Sequence, residues 1–331
     1  MNARIERIRA RRTFSPRAHE IVSWCALTFL TLIVVTGAGV RLTGSGLGCR
    51  EWPKCTEQSF TPVDGHAYIE YGNRMMTTPV LIFCVLALVF ALLRNPYRRD
   101  FTQLGAALVV GVLAQALLGG ITVLTGLNPL IVGGHFLLSM VTLTLAVLLV
   151  WRIRREKKGL TERPRFGRGL TLAVRLMVAF GAVVVLVGTL VTASGPHSGG
   201  AGTGDDVDRL DWFGSSTFLD LISTHARVAA IFGVVTIAVF VFALWRKAGK
   251  ELLIPLGAVS VLTGFTGLIG HLQYHVYAYP EGLVWVHVIS VALLWSVLSW
   301  ALVAVGLGER AQVPGSGRSK DRSGAPDLVA S

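Results

Sequence analysis

Seven stretches of this chain carry no Asp, Glu, Lys or Arg: residues 21–40, 75–93, 101–151, 176–191, 228–245, 252–279 and 282–308. In water such runs would have to be buried. With only 15% of its residues charged, the chain has too few charges to coat the globule that would bury them. Lipid is therefore read as the solvent for most of it. Crossing a hydrocarbon core of roughly 30 Å takes about 20 apolar residues per helix. Six runs supply one span each, 176–191 with a few flanking residues. The run 101–151 is long enough for two spans, divided at the turn signal Gly126-Leu127-Asn128-Pro129. The expectation is an all-α polytopic membrane protein with eight transmembrane helices.

A net charge of +12 raises nucleic acid as a partner, but the placement of the charge argues against it. The Lys and Arg residues concentrate in 1–20, 94–99, 152–175, 246–250 and after 308, all on one alternating side of the spans. That is a topology signal rather than a binding face. It predicts a multi-pass protein of the plasma membrane with both termini cytoplasmic. The opposite segments are acidic by contrast, as in Asp205, Asp206, Asp208 and Asp211. The basic arm 1–20 is not read as a cleavable signal, because a full span follows it with no Ala-x-Ala site beyond. The Gly-, Ser-, Pro- and Arg-rich tail 309–331 has too little apolar surface to offset the entropy of ordering, so disorder is expected. Cys25 and Cys84 fall inside spans as small packing groups. Cys49 and Cys55 flank Arg50–Lys54 on the oxidising side, where a disulfide can persist; two free thiols are the alternative.

The spans also repeat. His135 near the start of the fourth helix and His287 near the start of the eighth are 152 positions apart, as are Asn73 in the second and His225 in the sixth. Leu42-Thr43-Gly44-Ser45-Gly46 after the first helix matches Val191-Thr192-Ala193-Ser194-Gly195 after the fifth at an offset of 149, which a loop indel explains. Two four-helix bundles are expected, 21–151 and 176–308, joined by a basic cytoplasmic linker 152–175. Each has an even number of spans, so the copies enter the membrane in the same direction, as a parallel repeat.

Equivalent positions then share one depth, about one or two turns below the outer interface. An unpaired imidazole in hydrocarbon costs several kcal/mol. A single membrane histidine is commonly a helix-to-helix hydrogen bonder, but a matched pair on alternate helices is the geometry of bis-imidazole haem ligation. His225 and His287 make such a pair. Glu70 and Asn73 share a helix face. A carboxylate at that depth must be paired, protonated or functional, so Glu70 is read as a proton-handling group, with a structural partnership to Arg74 as the alternative. Arg74 and Arg227 are expected to snorkel toward the interface, as salt-bridge partners of haem propionates or as helix-start anchors. His66, His197, His271 and His275 are assigned to solvent or interface.

Taken together, Gly39–Cys49, Trp52-Pro53-x-Cys55, Glu70-Tyr71-x-x-Arg74, Gly119–Leu127, His135, Gly195-Pro196-His197, His225 and His287 resemble the haem A synthase family. The resemblance spans all eight helices and excludes the arm and the tail. It implies an enzyme that oxidises the C8 methyl of haem O to the formyl group of haem A for terminal cytochrome oxidases. It also implies two pseudo-symmetric halves, with a haem b held by His225 and His287. The N-terminal half would be the haem O site, using Glu70 and His135, and Cys49 and Cys55 would be the family's outer cysteine pair. Haem O synthase and an electron acceptor are the implied partners. One position departs from the family's pattern: Asn73 stands where a histidine is usual. An amide is a poor iron ligand but a competent hydrogen-bond donor, which leaves the substrate iron five-coordinate on His135 with water or Asn73 opposite. The other classes weighed are a membrane b-type cytochrome for electron transfer, which Asn73 disfavours, and a haem transporter, for which the chain offers no interrupted helix.

Overall fold

The computed structural model describes residues 15–160, 166–275 and 279–306. The expected tail lies outside the described residues, as do residues 1–14 of the expected arm. Eight helices are long and apolar enough to cross a membrane: α1 Pro16–Leu42, α2 Gly65–Leu93, α3 Arg99–Leu124, α4 Pro129–Lys157, α5 Arg168–Ser194, α6 Thr217–Trp245, α7 Lys250–His275 and α8 Glu281–Ala304. No strand occurs among the described residues.

Local chemistry sets the helix starts. Ser15 Oγ accepts from the Ala18 amide at 3.1 Å, and Pro16 occupies the first helical position, where its missing N–H costs nothing. Asp64 caps α2 through the Ala67 amide at 2.8 Å. The long charge-free run breaks where Gly126 and Leu127 take φ of 61° and 60°. Asn128 Oδ1 then caps α4 through the amides of Leu130 and Ile131, ahead of Pro129. The helices overrun the charge-free cores at the basic end, because charges there pair instead of ending the helix. Arg94 meets Glu156 at 2.6 Å, Lys157 meets Glu20 at 2.7 Å, and Arg155 meets Glu251 at 2.6 Å. Much of the expected basic linker is thus helical, and residues 16–20 of the expected arm form the first turns of α1.

Two apolar clusters hold the structure together. One is built mainly from α1–α4 around Leu30, Val80, Leu108, Leu143 and Val147, with Ala292 of α8 joining it, and the other from α5–α8 around Val174, Met177, Val239, Leu256 and Leu298. Within the first cluster α1 packs on α2 and α4, and α3 on α2 and α4. Within the second, α5 packs on α6 and α8, and α7 on α6 and α8. Between them α4 meets α8, while α1 meets α8 and α4 meets α5. Exchanging the halves leaves this pattern of neighbours unchanged.

Helix α8 is the seam. Trp295 Nε1 donates to the Met140 carbonyl at 2.7 Å, Thr144 and Ser299 share a 2.9 Å hydroxyl contact, and Trp285 Nε1 donates to the Val35 carbonyl at 2.8 Å. Outward positions are apolar and exposed, for example Val110 at 64%, Val234 at 69% and Val261 at 72%. Such a surface is suited to lipid, and every span is helical, as hydrocarbon requires.

Opposite the basic end, the segments 43–64 and 195–216 form one cap. Cys49 and Cys55 are joined in a disulfide. The Gly46 amide donates to the Gly199 carbonyl at 2.8 Å, and Arg50 pairs with Asp205 at 3.0 Å. Arg41 reaches from α1 to the carbonyls of His197 and Thr192 at 2.8 and 2.7 Å. Trp52 lies so close on α3 that a Cβ at Gly120 would come within 2.5 Å of its ring.

Candidate functional site

His225 and His287 project from α6 and α8 toward one another. Their ring centroids are 6.4 Å apart and their planes are inclined at 73°. Two imidazole nitrogens about 2 Å from a shared metal, with roughly another 1 Å from each nitrogen to its ring centre, put centroids about 6 Å apart. Nδ1 of each ring is buried and makes no hydrogen bond of normal geometry to any described group. Burying such an atom unpaired costs about 1–3 kcal/mol, so neither ring is held in place by a strong bond from that nitrogen. The pair fits an iron porphyrin held between two imidazoles. No group of three or more His, Cys, Asp or Glu able to hold a bare metal ion occurs among the described residues.

The other half carries one such ring. His135 on α4 likewise has a buried, unpartnered Nδ1. Its backbone carbonyl accepts from Gln115 Nε2 at 3.1 Å and from Ser139 Oγ at 3.1 Å. Asn73 on α2 is engaged through Oδ1, which accepts from Thr36 Oγ1 at 2.7 Å. With that oxygen occupied, the amide NH2 is the end left to act as a donor.

Glu70 is 5% exposed and fully partnered. Its Oε2 accepts from the Cys49 amide at 2.7 Å, and its Oε1 accepts from Arg74 Nε and Nη2 at 3.0 and 2.5 Å. Arg74 goes on to bind the carbonyls of Cys49 at 2.8 Å, Glu51 at 2.8 Å and Lys54 at 3.0 Å. The i,i+4 pair therefore fastens the disulfide loop of the cap to α2. Arg227 is exposed, with no hydrogen bond or ion pair to any described residue. His66 and His197 serve the cap: His66 Nδ1 lies 2.8 Å from Ser45 Oγ, and His197 Nε2 lies 2.8 Å from the Tyr279 carbonyl. His271 and His275 contact each other at the end of α7, with centroids 4.2 Å apart.

Two participants escape a reading of single residues, and one buried histidine lies apart from the site. Thr36 and Gln115 are neutral polar residues inside charge-free runs, which a search for charges passes over; their positions one helix away from Asn73 and His135 were the available signal. His19 is 3% exposed between Phe90 and Phe101, with Nε2 unpartnered. It lies at the basic end, far along α1 from Thr36.

Comparison with known proteins decides the family. A family model described as a cytochrome oxidase assembly protein, COX15-CtaA, matches residues 20–197, more than half of the chain. The chain belongs to this family. Among its relatives is the Heme A synthase of Bacillus pumilus (strain SAFR-032), 32% identical over 171 residues, which are 50% of this chain and 55% of that protein. The Heme A synthase of Listeria welshimeri is 31% identical over 174 residues, 51% and 57% of the two chains. That of Geobacillus thermodenitrificans is 31% identical over 138 residues, 40% and 43%. The chain thus spans about half the length of the curated relatives it matches. The family match covers α1–α5 with Glu70, Asn73 and His135, and it stops before His225 and His287.

Proposed function

We propose that this COX15-CtaA family member is a haem A synthase of the plasma membrane, with both termini cytoplasmic, that oxidises the C8 methyl of haem O to a formyl group. The observation that carries the reading is the His225–His287 pair. It is a two-imidazole site in the half beyond the family match, set at the same 152-residue offset from Asn73 and His135. In this reading the halves, 21–151 and 176–308, are copies with divided labour.

His225 and His287 hold a haem b, with Arg227 free to meet its propionates. A haem closed by two imidazoles supplies single-electron transfer and no open coordination position. In the N-terminal half His135 holds the haem O iron from one side. Asn73, fixed by Thr36, presents its NH2 as a donor on the other. Counted with water as the oxygen source, methyl to formyl releases four electrons and four protons, so an electron acceptor and a proton route are required. Glu70 is the candidate for the route, and its bonds to Arg74 and Cys49 would also couple it to the disulfide loop. Haem O synthase is the natural source of the substrate.

The test is to extract haems from cells with and without the protein and to titrate the purified protein optically. Haem A formed only with the protein, haem O accumulating without it, and one stable low-spin haem would support the reading. Unchanged haem A content would overturn it. Two stable low-spin haems and no conversion would point to an electron-transfer cytochrome instead.

A further inference from the structure

Each candidate axial position faces a glycine on the preceding helix. A Cβ at Gly188 of α5 would lie 2.9 Å from His225 Cε1. One at Gly270 of α7 would lie 3.3 Å from His287 Cε1, and one at Gly119 of α3 would lie 3.3 Å from His135 Cε1. At the fourth position, a Cβ at Gly37 of α1 would sit 3.7 Å from Asn73 Nδ2. Gly37 and Gly188 are 151 positions apart, as are Gly119 and Gly270. The ring-facing glycines thus recur with the rings they face.

A further feature recurs with them. The side chains four residues before Gly119 and Gly270 reach serines that lie four residues after His135 and three after His287. Gln115 Nε2 donates to Ser139 Oγ at 2.8 Å, and Thr266 Oγ1 donates to Ser290 Oγ at 3.0 Å. Each serine in turn donates to its histidine's own carbonyl, at 3.1 Å to His135 and 2.7 Å to His287.

We infer that Gly188, Gly270 and Gly119 are positioning residues, each forming a notch that fixes the azimuth of an axial imidazole. The physical reason is that the orientation of the ring is part of what tunes an imidazole ligand. A side chain on the facing helix would stand where the ring must lie. The inference rests on the haem reading above and adds the residues that set the ligand geometry.

The experiment compares Gly188→Ala, Gly270→Ala and Gly267→Ala in the full chain, purified in detergent, by optical and electron paramagnetic resonance spectra and carbon monoxide reactivity. Gly267 lies on α7 with nothing within 4 Å of its Cβ position, so it controls for the loss of a helix glycine alone. The expected order of effect is set by clearance. Gly188→Ala should convert most of the low-spin haem to a high-spin, carbon monoxide-reactive form. Gly270→Ala should shift the low-spin signal with partial conversion, and Gly267→Ala should match the parent. An unchanged low-spin signal in Gly188→Ala, or equal effects from all three, overturns the inference. If Gly188→Ala does not accumulate, Gly270→Ala against Gly267→Ala decides it alone. A parent protein lacking a low-spin haem would instead sink the haem reading itself.

Discussion

Glu70 has two jobs open to it, and its surroundings let them be separated. Every oxygen of its carboxylate is engaged by Arg74 and the Cys49 amide, so any substitution disturbs the disulfide loop as well as removing a proton carrier. Leaving one member of a buried ion pair uncompensated costs about 3 kcal/mol. Glu70→Gln is expected to abolish conversion of haem O while retaining the low-spin haem. Arg74→Ala should lower the thermal midpoint by a similar amount while keeping measurable conversion, because it leaves the carboxyl in place. Haem analysis beside thermal unfolding checks both. If the two variants lose conversion equally, Glu70 acts through the loop and not as a proton carrier. Asn73 offers a second residue-scale test. Gly37 already clears space before it, so Asn73→His should place an imidazole opposite His135. Haem bound in that half should then become six-coordinate and unreactive to carbon monoxide, read as loss of the carbon monoxide difference signal.

At the scale of elements, the seam between halves depends on a few directional bonds in lipid, where apolar contact between helices gives little net drive. Trp295 is the densest of these, with its indole N–H shared between the Met140 carbonyl and Thr144 Oγ1 at 2.7 and 3.0 Å. Trp295→Phe keeps most of the packing and removes the donor. It should lower stability by about 1 kcal/mol, seen as a lower unfolding midpoint in detergent with the low-spin signal unchanged at low temperature. The spans themselves were legible as charge-free runs, and the break at Gly126–Pro129 as turn chemistry. Their true lengths were not. Helix α2 begins at Gly65, a turn before Glu70, and Glu70 and Arg74 neutralise each other inside it. Helix α4 runs on to Lys157 because Glu20, Glu156, Asp100 and Glu251 meet its basic end or its neighbours. The i,i+4 spacing that pairs Glu70 with Arg74 stands in the sequence. What the sequence does not carry is the path of residues 49–55, and it is the carbonyls of that loop that take up the guanidinium. The matched histidines were visible from numbering alone, whereas Thr36 and Gln115 become visible only once neighbouring helices are known.

For the whole molecule, orientation in the membrane decides which compartment supplies haem O and takes the electrons. The ends of the eight helices differ sharply in charge. One end gathers Arg94, Arg98, Arg152, Arg154, Arg155 and Arg246, while the other presents Asp205, Asp206, Asp208 and Asp211 on a cap tied by the Cys49–Cys55 disulfide. Lys and Arg excess in short loops sets the retained side, and a disulfide persists on the oxidising side. These two independent signals agree on one orientation. His135, His225 and His287 all lie within the first turns of helices that start from the disulfide-capped end. Both haem positions would therefore sit in the outer leaflet, close to one another in depth and far from the basic face. A reporter enzyme that is active only outside the cytoplasm should work when fused after Asp211 and fail when fused after Gly249. The opposite pattern would invert the molecule, placing the disulfide loop in a reducing compartment and the haem pair near the cytoplasm. In that case a thiol-reactive, membrane-impermeant probe applied to intact cells should fail to label Cys49 or Cys55 even after reduction, whereas in the orientation argued here reduction should make both reactive.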